Sequence, residues 1–131
     1  MANEAVLIQQ LQDRLPQCKV ADGATILKGT ILKLSDANTG AASGADGDTF
    51  LGIAAVDKLA NDGQTTISYW DKGIFDLKDS GAGITAGNPV KIAGANLIAT
   101  ADDATAAGLK EVVGYALQTA AANEVIEVKL R

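Results

Sequence analysis

Along the chain, apolar residues come in short runs parted by Gly, Asn and Asp. The runs Thr30–Leu34 (TILKL), Phe50–Val56 (FLGIAAV), Leu97–Thr100 (LIAT) and Val112–Leu117 (VVGYAL) have the length of strands. Val125–Arg131 (VIEVKLR) alternates strictly. Ile126, Val128 and Leu130 take one face, and Glu127, Lys129 and Arg131 the other, the period-two mark of a half-buried strand. Thr65–Lys78 reads similarly: Ile67, Tyr69, Phe75 and Leu77 share the core parity, while Trp70 and Ile74 share the outward one. The alternation weakens at Asp71 and Gly73, where a bulge or bend fits. Turns are expected at Asn61–Gln64, Ala93–Asn96 and Ala121–Glu124. One helical turn fits between Ala101 and Gly108, with Asp102 or Asp103 as its cap.

The pattern repeats. GATILKGTILKL (Gly23–Leu34) and GAGITAGNPVKI (Gly81–Ile92) align without a gap, 58 positions apart. Leu51-Gly52-Ile53-Ala54 and Val113-Gly114-Tyr115-Ala116 align 62 positions apart. A unit this small does not bury its own apolar face, so the two copies are expected to share one β core. Gly29 and Gly87 stand where a turn feeds a strand, which predicts positive φ at both. The expected fold is mainly β: a compact single domain over residues 21–131, with a β-barrel-like or β-sandwich-like core built from two similar glycine-punctuated modules. An N-terminal arm, residues 1–20, precedes it, and there are at most one or two short helices.

The arm is ambiguous in conformation. Leu7, Leu11 and Leu15 recur at four-residue spacing, as on a short amphipathic helix ended by Pro16. The segment is marginal in length for an isolated helix. It is therefore read as an extended arm that becomes ordered on a partner, with the three leucines as contact residues.

Composition narrows the functional classes. The chain has 131 residues, enough for one domain. Its net charge of −5, without any cluster of Lys or Arg, opposes binding to nucleic acid. No run approaches the ~20 apolar residues of a membrane helix, and the start lacks the basic region of a secretory signal. These features predict a product made in the cytoplasm, with neither nucleic acid nor membrane as partner. The single cysteine, Cys18, excludes an intrachain disulfide and reads as a small buried residue. Histidine is absent, which removes the usual general base and the commonest metal ligand.

No motif carries a reaction. SGAGITAG (Ser80–Gly87) has glycines but lacks the Gly-Lys-Ser/Thr ending of a phosphate loop, and its twin explains it as a turn. Asp36, Asp46 and Asp48 do not have calcium-loop spacing. Asp102 and Asp103 read as a cap rather than a catalytic pair. No catalytic residue, cofactor or metal is expected, and the chain is read as a non-enzyme. Trp70 and Ile74, outward by parity, are read as part of a protein–protein contact, because aromatic residues are enriched at interfaces.

With these elements placed, VADGATILKGTILKLSD, FLGIAAVDKLANDGQTTISYWDKGIFDL and VVGYALQTAAANEVIEVKL together resemble the capsid cement, or head-decoration, proteins of tailed bacteriophages, the phage-lambda head-decoration-like group. The resemblance spans Met1 to Arg131 and implies a structural virion protein without an active site. It implies a homotrimer bound to the major capsid protein on the outer surface of the expanded head, near local threefold axes, stabilising the shell against DNA pressure. It also implies that the arm lies on the shell. Two other classes fit a β domain of this kind: a glycan-binding module on a virion or cell surface, and a tail-tube or fibre component. Five aromatic residues in the whole chain make a poor sugar platform.

Overall fold

The computed structural model describes residues 3–9, 14–101 and 110–130. They form eleven strands. The first module comprises β2 (Gln17–Lys19), β3 (Ile31–Asp36), β4 (Thr39–Ala42), β5 (Phe50–Ala54) and β6 (Thr66–Trp70). These close into a barrel in the order β2-β4-β3-β5-β6. The second comprises β7 (Ile74–Asp79), β8 (Pro89–Gly94), β9 (Leu97–Thr100), β10 (Val112–Ala116) and β11 (Val125–Leu130), and β1 (Val6–Gln9) is added to it. The sheet runs β1-β7-β11-β10-β8-β9, and a further β7–β9 pairing closes β7-β11-β10-β8-β9 into a second ring, with β1 outside it. In each ring the closing contact is a short parallel one, Lys19 opposite Thr39 in the first and Lys78 opposite Leu97 in the second.

The two rings follow one plan. Gly29 and Gly87 both have φ of 90°, as the turn-to-strand position predicts. Asn38 and Asn96 turn the equivalent hairpins at φ of 50° and 57°, and Asn61 and Asn123 match at 60° and 65°. Asparagine tolerates this left-handed region better than other residues with a side chain. The bridge Ile26–Lys58 recurs as Ile84–Ala120. Gly52 and Gly114 also correspond, and there the absent side chain matters for space. A methyl on Gly52 would overlap the Tyr69 ring, and one on Gly114 would overlap the Lys129 backbone.

The expectation of one shared core is corrected in part. Cys18, Val20, Ile26, Leu32, Ala54 and Ile67 form a cluster inside the first barrel. A larger cluster fills the second barrel and takes in Ile31 and Ile53 from the first. The modules therefore close separately and are fused through those two isoleucines. The bend expected at Asp71–Gly73 is the crossing point. There β6 of one barrel ends, Gly73 takes φ of 137°, and β7 of the other begins.

Equivalent positions diverge where the barrels meet. Asn38 is exposed at its hairpin tip, whereas Asn96 is buried. Its Oδ1 accepts the Ile31 N–H at 2.9 Å, and its own N–H donates to Ser43 Oγ at 3.3 Å. The equivalent lysines Lys33 and Lys91 are both gripped by the loop after β4, through Asp48 at 3.7 Å and Asp46 at 2.9 Å. That loop staples the barrels.

A second divergence lies beside the paired bridges. Lys58 is wholly buried in the first barrel. Its ammonium donates to the carbonyls of Asp22, Ala24 and Leu59 and to the Asp62 carboxylate, at 2.7 to 3.3 Å. The second barrel has Ala120 there and uses a buried carboxylate instead. Asp79 Oδ2 accepts the N–H groups of Gly81, Gly83 and Asn123 at 2.9 to 3.2 Å. One buried charge joins the same pair of loops in each barrel, with opposite sign.

The arm departs from its expected bounds at its C-terminal end. Val6–Gln9 is extended, which decides between the helix and the extended arm left open by the sequence, and pairs antiparallel with β7. Residues 17–20 belong to the first barrel, with Cys18 and Val20 in its core. Burial pushes the Cys18 thiol above its ordinary value, against a smaller opposing effect of a hydrogen bond to the Gly40 backbone. The helical turn expected between Ala101 and Gly108, with its Asp102–Asp103 cap, lies outside the described residues.

Candidate interaction surface

The acidic and glycine-rich stretches weighed as sites are engaged internally. The Asp36 carboxylate accepts the Ala37 N–H at 2.8 Å, and Asp46 and Asp48 pair with different lysines. Burial works against ionisation of Asp48. The N–H groups of Gly44 and Ala45, each at 3.0 Å, together with Lys33, outweigh it and hold the carboxyl below its ordinary range. Lys91 is held above its ordinary range, first by its hydrogen bond to Asp46. In the Ser80–Gly87 turn, the amides of Gly81 and Gly83 are taken by Asp79. Among the described residues no three Asp, Glu or Cys side chains gather as a metal site, and no helix is long and apolar enough to cross a membrane.

What the surface offers instead is a wall. The alternation of β7 and β11 buries Phe75, Leu77, Ile126, Val128 and Leu130, and turns Ile74, Asp76, Lys78, Val125, Glu127 and Lys129 outward. Antiparallel register sets Asp76 opposite Glu127, Ile74 opposite Lys129 and Lys78 opposite Val125. On one flank Val6 of β1 stands beside Asp76. On the other, Tyr115 of β10 stands beside Lys129. The Leu117 N–H donates to the Glu127 carbonyl at 2.9 Å, which carries the ladder one step further. Val6, Ile8, Tyr115, Leu117 and Val125 are all exposed, so most of the exposed large apolar side chains lie on this barrel rather than on the first. The free edge of the wall is β1, which pairs only with β7.

Of the contact residues expected from sequence, Ile74 is the one that lies on this wall, where it is half-buried. Leu7, opposite Phe75, is partly buried against the second-barrel core. Trp70 packs on the same cluster at the crossing between barrels, its ring centroid 6.4 Å from that of Phe75. Part of the indole is thus committed to the interior, and part remains exposed. Leu15 is half-buried just ahead of β2, and Leu11 lies outside the described residues. The arm is seated by the Ala5 N–H, which donates to the Gly29 carbonyl at 2.6 Å. A cleft of about 690 Å³ opens between residues 4–7 and Leu27, Lys28 and Asp57.

Sequence reasoning missed Val6, Ile8, Asp76, Tyr115, Leu117 and Val125 as members of one surface. The parity of VIEVKLR does turn Glu127 and Lys129 outward. The neighbours of that strand come from β1, β7 and β10, which are far apart in the chain.

A model of the family described as "Phage cement protein" matches residues 19–131, which take in both barrels from the last residue of β2 onward. No curated protein matches the chain. Among solved structures, the head fiber gp8.5 N base of bacteriophage phi29 is similar at 15% identity and a TM-score of 0.52, covering 90% of this chain and 93% of that one. At that identity the likeness is one of fold.

Proposed function

This chain belongs to the phage cement protein family, and from that premise we propose that it decorates the outer surface of the expanded phage head. It is a structural protein of the virion. In the proposal it binds the major capsid protein near the local threefold axes, assembles there as a homotrimer, and braces the shell against the pressure of packaged DNA. The observation that carries the proposal is the family match across residues 19–131, both barrels rather than one. Two closed rings fused through Ile31 and Ile53 suit a part that works by remaining stiff between neighbours. Many copies, each with a modest contact, sum to a large stabilisation.

Residues 1–20 keep a place in this proposal, with their role refined by the fold. The exposed side of β1, Val6 and Ile8, is available to the shell, while Leu7 holds the strand on its own barrel. Ile74 contributes from the outer face of β7, and Trp70 through the part of its ring left exposed at the crossing between barrels.

Sedimentation of purified expanded heads with added protein tests the proposal. Saturable binding, together with a higher temperature for DNA release, is the expected result. The phi29 neighbour favours a second reading, a fibre base, because that protein is the base of a head fiber. Binding confined to one or a few positions per head would select it.

A further inference from the structure

Resting on the decoration reading, we propose that the outer wall of the second barrel is the face that meets the shell. Its acidic centre receives an arginine or lysine projecting from an apolar patch of the capsid protein. Across this wall Val6, Asp76, Glu127 and Leu117 stand side by side. Two carboxylates directly opposite each other on neighbouring strands destabilise a sheet. Among the described residues, neither is in an ion pair. Lys78 and Lys129 are the diagonal neighbours, and neither bridges the pair. In the isolated protein two like charges thus face each other across the ladder without a bridging cation, and exposed apolar side chains stand on both sides.

That arrangement defines its occupant by chemistry. Apolar flanks favour removal of water from the centre, and a carboxylate pair without water requires a cation. A guanidinium spans two carboxylates with paired, charge-assisted hydrogen bonds, and an ammonium does so less specifically. A second copy of the same wall fits poorly. A twofold axis through the centre would set Asp76 and Glu127 against their own copies, four carboxylates together.

The test is the double neutralisation Asp76→Asn with Glu127→Gln, compared with the wild type in the free state and on expanded heads. Relief of the like-charge contact should leave the melting temperature of the free protein equal or higher. Affinity for heads should fall about tenfold or more, and its dependence on salt should flatten, because a charge pair across the interface has been removed. Unchanged affinity with unchanged salt dependence would overturn the assignment while leaving the decoration reading in place. A loss of stability in the free variant would also overturn it, by giving the acids an internal role. So would a change in the protein's own assembly with head binding intact, which makes the wall a copy–copy contact. Failure of the wild type to bind heads would remove the decoration reading itself, and this inference with it.

Discussion

Replacing Lys58 by Met keeps most of the buried stem and deletes the ammonium, so it isolates the worth of a charge enclosed in the first barrel. The wild-type Nζ satisfies the carbonyls of Asp22, Ala24 and Leu59 and touches Asp62. The Asp22 carbonyl also accepts the Asn61 N–H at 2.7 Å, so it retains a partner in the variant. Asp62 is 29% exposed and can recover hydration. The carbonyls of Ala24 and Leu59 remain, each losing a charge-assisted donor at about 1–2 kcal/mol, with Leu59 exposed and able to recover part of that from water. The expected loss is about 2–4 kcal/mol, below the 3–5 of a fully enclosed broken pair only because Asp62 reaches water. With an m-value of about 1.5 kcal/mol/M, the urea midpoint should fall by about 2 M. Lys58→Ala should cost more, because it adds a cavity to the same polar loss. A Lys58→Met midpoint within experimental scatter of wild type would refute the reasoning, and would mean that the ammonium merely repays its own desolvation.

Three further outcomes follow from the same geometry. Asn96→Ala should cost about 1–3 kcal/mol, by stranding the buried Ile31 N–H, whereas Asn38→Ala at the equivalent exposed tip should cost clearly less; equal effects in thermal unfolding would contradict the unequal roles of the two hairpins. The Asp48 carboxyl is held below its ordinary value of 3.8, so its contribution to stability is present above that pH and lost as pH falls through the lower folded value. Asp48→Asn should accordingly flatten the acid limb of the stability curve, and an unchanged limb would count against the staple. Gly114→Ala should cost more than about 3 kcal/mol or abolish soluble expression, since the added methyl meets the Lys129 backbone rather than a side chain that can move; a wild-type melting curve would show that the strands can separate there.

Much of this architecture is legible in the sequence, because it is written in local chemistry. Gly29 and Gly87, Asn61 and Asn123, and the Gly52/Gly114 pair mark turns and close approaches that few other residues satisfy, and they recur 58 or 62 positions apart. Closure of each module into its own ring is not legible. It depends on the three-residue strand Gln17–Lys19 reaching Thr39, and on Lys78 reaching Leu97, short parallel contacts without periodicity to announce them. Parity likewise places Ile74 outward but misjudges how much of Trp70 is free. The crossing at Gly73 folds the indole back onto Phe75. The wall is not legible in the sequence for a related reason. Asp76 and Glu127 are 51 residues apart in the chain, and only strand register reveals two like charges meeting between Val6 and Leu117.

The central claim is one of location on the virion, and it is best tested by electron cryomicroscopy of expanded heads prepared with and without the protein. The account predicts added density on the outer surface at the local threefold positions, into which the two-barrel body fits with β1 and the wall formed by β7 and β11 toward the shell. Heads identical in the two preparations, or density confined to the tail or to a few isolated fibres, would contradict it.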